Sequence, residues 1–547
     1  MRRLRGSTGK LVSTLSQNGT RGLTLPQLTA LARAGAVRRA WQLFVGAGYD
    51  QRGGDPAALA VKGRLLKGRA RLAAGAAARA LYAAAAEAYA AADALQPAPY
   101  LAINAASLRL LAGDDDGSRA GANGVLHQLD DPAIAIDTPY FLAATRAEAL
   151  LLLGDRSAAA QAMQDAARAD PDGWADRAAT VAQLREIAAA QASDTAWIER
   201  FAPPASLHFA GHMGLASGGA AEAALSTMLA EHFAAHPAGF GWGALAAGAD
   251  IVIAEALVAQ GAALHVVLPC PADQFEAQSV APAGAAWSPR FQALLAAAAS
   301  LRIAADSASS VHDPLATAHA GDLAIGGALS NAAQLASSAA QLIVLDEAGG
   351  GANTARQADR WRGESGAQHR LTVARDAAVD ALFPPEVPDP ARLLAVHLAV
   401  LLDGTDTALS RTSQQLKAAT GPVAAVLAQL PRGSVRASAS GWEAVIQDLA
   451  QAVAIIDRLN ALGSVAVGAH LAIGPVLADP ASGTLVPYGP APALAAKLAA
   501  RAPAGTTLVS DALAVTLCAR GTTACRAELY YPCEDDLGGA VHMLVSG

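Results

Sequence analysis

Cysteine is scarce: the 547 residues hold four, Cys270, Cys518, Cys525 and Cys533, and no two form a C-x-x-C pair. Free thiols in a reducing cytoplasm account for them most simply. Long apolar runs are also missing. No window approaches the roughly 18 uninterrupted apolar residues of a membrane span, and the most hydrophobic, Leu393 to Leu402, contains His397. A transmembrane helix, and with it a membrane partner, is not expected. Charge of either sign is thin, with charged residues at 16%, a net charge of -7 and a pI near 5.9, so the chain has no global field for nucleic acid. Basic residues cluster only at Arg2, Arg3, Arg5 and Lys10, and polar residues follow them instead of an apolar stretch, which argues against a secretory signal.

What is present is apolar surface. Hydrophobic residues reach 53%, enough to exclude a mainly disordered chain, and the length calls for about three or four domains. Residues 1–22 read as a mobile basic tail. From Leu23 to about residue 200 the pattern is helical and rich in alanine. A repeat is visible there: Pro99-Tyr100 opens a helix ending in Leu110-Leu111-Ala112-Gly113-Asp114, and Pro139-Tyr140 opens one ending in Leu152-Leu153-Gly154-Asp155. Helix pairs of this period describe an alpha-solenoid. The segment resembles the tetratricopeptide-like regions of bacterial signalling proteins and the TRAFs-binding domain of eukaryotic kinases. That resemblance implies a protein partner on a concave surface; a helical spacer packed on its own neighbours fits the same pattern.

Between residues 204 and 378 the period changes. Apolar strands are expected at Ser206–Ala210, Leu264–Pro269 and Gln341–Asp346, with helices through Ala223–His232 and up to Gln260, and with Gly239–Gly243 as a loop. Alternating strands and helices predict an α/β doubly wound, Rossmann-like domain. Small residues at a loop-to-helix junction, Gly241, Gly243 and Gly248 with Asp250 and Glu255, would let a phosphate approach free backbone N–H groups. The order Gly241-Trp242-Gly243 through Gly248-Ala249-Asp250-Ile251, Glu255 and Val266-Val267-Leu268-Pro269 resembles the SLOG group of nucleotide-binding Rossmann-like domains. The resemblance implies a pocket lined by Gly211, His212, Gly241, Gly243, Gly248, Asp250 and Glu255, closed by Asn353 and Thr354, for a nucleotide-derived ligand. Glu255 would be the catalytic group if the domain is an enzyme. His212 also fits as a satisfied structural histidine.

Four prolines between residues 384 and 390 mark a linker spanning 379–391. Beyond it, residues 392–547 hold Ile473-Gly474-Pro475-Val476, Asp479-Pro480, Tyr488-Gly489, Leu494–Leu498 and Ala504–Ser510. This order resembles class III nucleotide cyclase domains, which implies an α+β, ferredoxin-like fold and a dimer, with itself or with another chain. By the same resemblance Asp403 falls on the first metal aspartate, the second aspartate on Ala439 or Ser440, the transition-state Asn on Ala493 and the Arg on Lys497. Serine supplies no anionic ligand for Mg2+, and lysine lacks the guanidinium fork. Mg2+ is therefore expected only if a partner completes the site, and Asp403 equally fits as the start of a turn.

The whole reads as a cytoplasmic signalling protein: helical repeats for contacts, a Rossmann-like domain sensing a nucleotide-type ligand, and a degenerate cyclase-like domain for dimerisation or regulation. The alternatives are a nucleotide- or ribosyl-processing hydrolase, a ligand-free scaffold and a residual cyclase.

Overall fold

The computed structural model describes residues 23–133, 138–305, 312–347, 351–361, 366–402, 413–431, 433–438, 441–478, 485–487, 489–521, 525–537 and 539–546. The basic tail expected over 1–22 lies outside them. Among the described residues, 25–199 hold ten α-helices, from Leu25–Arg33 to Ala196–Glu199, packed mainly against their neighbours in sequence. The repeat punctuation has a physical role at each end. Gly113 and Gly154 take φ of 93° and 90°, the left-handed conformation that ends a helix. Asp114 and Asp155 then cap the next helix by accepting from Gly117 N at 2.9 Å and Ala158 N at 3.0 Å. Pro99 and Pro139 stand in the first turn of their helices, where no intrahelical N–H is needed.

Six strands follow: β1 (Ala205–Gly211), β2 (Ala238–Gly243), β3 (Ala263–Leu268), β4 (Ser300–Ile303), β5 (Ala339–Leu345) and β6 (Ala367–Thr372). They form one parallel sheet in the order β4-β3-β2-β1-β5-β6. Leu207 and Phe209 point to a core shared with helices Ala220–Ala235, Ala249–Ala259 and Trp287–Ala297. Side chains alternate across a strand, so His208 and Ala210 face the opposite layer, where Pro314–Gln334 and Ala352–Trp361 pack.

The segment Gly239–Gly243, expected as a loop, is strand β2. Its glycines are spaces for neighbours: a Cβ at Gly241 would meet the Leu257 side chain at 2.6 Å, and one at Gly243 the Phe209 ring at 2.6 Å. Between them the Trp242 ring stacks on His265 at 4.1 Å.

The last part contains β7 (Arg392–Leu402), β8 (Val435–Ala437), β9 (Gly441–Ile446), β10 (Val465–Ala478), β11 (Leu485–Pro487), β12 (Thr506–Ser510), β13 (Cys525–Glu534) and β14 (Gly539–Ser546). The run β7, helix Ser413–Leu427, β8, β9, helix Leu449–Ala461, β10 makes the antiparallel order β10-β7-β9-β8, which is the ferredoxin-like arrangement. Val396, Leu398 and Val400 bury one face of β7 against Val423, Ile456 and Leu513. Ala399, on the other face, meets Ala495 and Ala499 of helix Ala491–Arg501.

The three parts are in contact. Leu28 and Leu31 of the first helix share a core with Leu498, Leu508 and Met543, and Arg39 donates to Ala504 O at 2.8 Å. Helix Pro314–Gln334 lies against Asp511–Ala519, with Gly326 so close to the Val515 carbonyl that no side chain fits. The proline-rich segment is fastened too. Phe383 packs on the parallel-sheet core, Val387 N donates to His312 O at 2.7 Å, and Arg392 pairs with Asp313 at 3.0 Å. Among the described residues no helix is long and apolar enough to cross a membrane.

Candidate functional site

A pocket of about 340 Å³ opens where β1 and β5 end. The strand order reverses between these two parallel strands, with successive strands added on the β2 side and then on the β5 side; ligands of open α/β sheets settle in this crevice because the connections leave in opposite directions there.

Its floor is the end of β1. Gly211 N donates to Asp250 Oδ1 at 2.7 Å, and Gly211 O accepts from Thr354 Oγ1 at 3.1 Å, so the strand end is held from both sides. Gly211 has no room for a Cβ, which would strike the Ala249 side chain. Gly248 starts the next helix at φ 101°, and a Cβ there would lie 2.9 Å from the His212 and Met213 carbonyls. Only glycine tolerates both conditions.

Asp250 is buried, and burial pushes its carboxyl up to about 7 against the pull of the Gly211 and Ala246 N–H groups. The folded state therefore holds a proton that the unfolded carboxyl releases near its ordinary value of about 4. Its contribution to stability is present below about pH 4 and lost as pH rises through about 7, each raised unit being worth about 1.4 kcal/mol. Asp250→Asn should keep the Gly211 contact and remove this falling contribution, so that stability rises more steeply with pH between about 4 and 7, read by urea titrations across that range. An unchanged slope would show that this carboxyl does not titrate there.

His212 donates through Nε2 to Val373 O at 3.1 Å, which leaves Nδ1 as a buried acceptor with no partner among the described residues. Burial holds the ring below the usual imidazole range, and so neutral. Arg375 brings positive charge to the wall; its NH1 is 3.2 Å from Asp380 Oδ2 and its Nε is 3.5 Å from Asp346 Oδ2. Gly351 to Thr354, at the start of helix Ala352–Trp361, complete the anion-favouring side. Pro384 and Glu386 close the rim from the proline-rich segment.

Of the sequence-read residues, Gly211, His212, Asp250, Asn353 and Thr354 line this pocket. Gly241, Gly243, Gly248 and Glu255 do not. The first two are core-packing positions, and Gly248 shapes the helix start. Glu255 is held away from the pocket by Arg290, with Oε1 accepting from Nε at 2.7 Å and Oε2 from NH2 at 2.6 Å. Sequence reading missed Arg375, Gln357 and His312, which come from distant points of the chain and belong to no spaced motif.

In the ferredoxin-like part, Asp403, Ala439 and Ser440 lie outside the described residues. Ala493 and Lys497 are exposed on helix Ala491–Arg501, and Lys497 Nζ donates to Asp536 O at 3.1 Å.

Residues 9–109 match the family described as Tetratricopeptide Repeats-Sensor, TPR-S. No curated protein matches the chain. Among solved structures, the chain is similar in fold to an adenylate cyclase from Trypanosoma brucei in its monomeric state, with 11% identity, 28% of this chain and 89% of that one covered, and a TM-score of 0.24. An adenylate/guanylate cyclase/hydrolase from Silicibacter pomeroyi gives 16%, 28%, 95% and 0.22 for the same quantities, and the adenylyl cyclase CyaB from P. aeruginosa 14%, 28%, 94% and 0.22.

Proposed function

We propose that this chain is a cytoplasmic signalling protein whose parallel-sheet part binds a nucleotide-type ligand at the β1–β5 crevice. Its ferredoxin-like part then serves as a dimerising or regulatory output that does not itself cyclise nucleotides, and its helical repeats receive a protein partner. The observation behind the ligand assignment is the convergence of Arg375 and the N-terminus of Ala352–Trp361 on one crevice, a combination suited to phosphate. The SLOG-like order of Gly241 to Pro269 supports the same class of ligand. Pro384 and Glu386 sit on the pocket rim, and six residues past Glu386 the chain enters β7 at Arg392. Occupancy would thereby bias how the output part is held.

Hydrolysis with Glu255 as the acid or base is the weaker reading, because that carboxylate faces Arg290 and not the crevice.

The test is thermal unfolding of the full chain with NAD, ADP-ribose and nucleoside monophosphates. A ligand at 100 times its dissociation constant should add about 2.7 kcal/mol. Arg375→Ala should remove most of that gain. Equal stabilisation of the variant, or none of the wild type by any of these compounds, would rule out the crevice as the nucleotide site.

A further inference from the structure

The opposite end of the parallel sheet holds a second cavity, of about 690 Å³, bounded by the starts of β1, β2, β5 and β6. Three imidazoles meet at its mouth. His232 and His236 are four residues apart at the C-terminal end of helix Ala220–Ala235, which puts them on one face. His369 comes from β6, whose pairing with β5 at Leu342 fixes its height on the sheet. One nitrogen from each ring lies within 4.8 Å of the other two, and the ring centroids are 4.4 to 5.1 Å apart.

This arrangement is poorly explained as packing. Three like rings crowd one another; among the described residues no carboxylate lines the cavity to neutralise a protonated one, and buried His232 Nε2 has no hydrogen-bond partner. An unmade hydrogen bond on a buried nitrogen is costly unless something else takes the lone pair. The carbonyl end of helix Ala220–Ala235 also favours positive charge at this position.

We propose that His232, His236 and His369 form a binding site for a divalent transition-metal ion of the zinc class, with one coordination position open to the cavity. Imidazole alone suits zinc, copper or nickel and offers nothing to Mg2+ or Ca2+, which take oxygen. Metal–nitrogen bonds of about 2.0–2.1 Å place tetrahedral ligands about 3.4 Å apart, so the rings close by roughly 1 Å on the ion. Three protein ligands leave the fourth position for water or a small donor, beside Ser337, Ser338 and a wall of alanines. The site is independent of the nucleotide crevice.

The experiment strips the full chain with chelator and titrates Zn2+ against a chromophoric competitor, with Co2+ absorption reporting the ligand field. One equivalent should bind, and His236→Ala, an exposed change that spares the fold, should weaken it by about tenfold or more. His232→Ala/His236→Ala/His369→Ala should abolish the tetrahedral Co2+ bands while circular dichroism stays unchanged. Zn2+ bound equally by the triple variant, or no stoichiometric binding by the wild type, would overturn the assignment. Mg2+ competing with Zn2+ would overturn the donor argument.

Discussion

Lowering the pH from about 7.5 to about 5 should remove about 4 kcal/mol net from the two sheet-bearing parts and leave the helical part standing. His208, His319 and His397 are at most 2% exposed. Burial holds His208 and His397 down to about 4, and burial together with nearby Arg520 and Arg302 holds His319 down to about 3. In the unfolded chain each titrates near 6.5. The unfolded state therefore binds more protons below that value. Stability from the neutral rings is complete above about pH 6.5 and lost as pH falls toward about 4. At pH 5 each ring costs about 2 kcal/mol, and the sum is a large part of the roughly 5–15 kcal/mol that holds a domain together.

His542 shares Asp511 with Arg302, so a proton there gains an ion pair, and it is left out of the sum. Asp250 works in the opposite direction and returns about 2 kcal/mol, because its carboxyl, at about 7 when folded and about 4 when unfolded, regains its proton. His127 is the one histidine between residues 23 and 200. Segment-resolved hydrogen exchange at the two pH values distinguishes the parts. Strand amides equally protected at both would contradict the prediction.

Asp313→Ala should cost about 3–5 kcal/mol, with a further ~1 kcal/mol from the lost cap. Asp313 Oδ1 accepts from Leu315 N at 3.0 Å at the start of helix Pro314–Gln334, while Oδ2 meets Arg392 NH1 at 3.0 Å. The two side chains are 3% and 6% exposed, and Arg392 Nε and NH2 have no other partner among the described residues. Removing the carboxylate strands a buried guanidinium, whose desolvation is then uncompensated. Asp313→Ala/Arg392→Met should recover much of the loss, because no buried charge remains. Urea unfolding measures both variants. A loss under about 1 kcal/mol in Asp313→Ala would mean that Arg392 reaches water.

Local chemistry was legible where it is self-contained. The Gly-Asp pairs at 113–114 and 154–155 mark helix ends because both the turn and the cap are made by those residues. Strands β1, β3 and β5 were legible as short apolar runs, since both faces of each are buried. β2 was not, because what fills the space beside Gly241 and Gly243 is Leu257 and Phe209, and no local window contains that information. β6 carries Gln368, His369 and Arg370, a polar edge strand with no apolar signal.

The site divides the same way. Gly211, Asp250 and Thr354 sit at a strand end or helix start and could be placed from sequence. Glu255 follows Asp250 by five residues, a rotation of about 140° on a helix, which turns it from the crevice toward Arg290. Arg375 reaches the wall from beyond β6, with no spacing to announce it. His232 and His236, four residues apart, drew no reading from the sequence, and His369 is brought to them only by the sheet.

The packing of the first helices on β12 and β14 also sets a schedule for synthesis. Arg39 and its acceptor Ala504 are 465 residues apart, a separation that takes roughly 20 to 90 s to translate at about 5–20 residues per second. For that interval Leu28 and Leu31 have no β-sheet to cover them, and the emerging chain must keep them from other hydrophobic surfaces until its own last strands arrive.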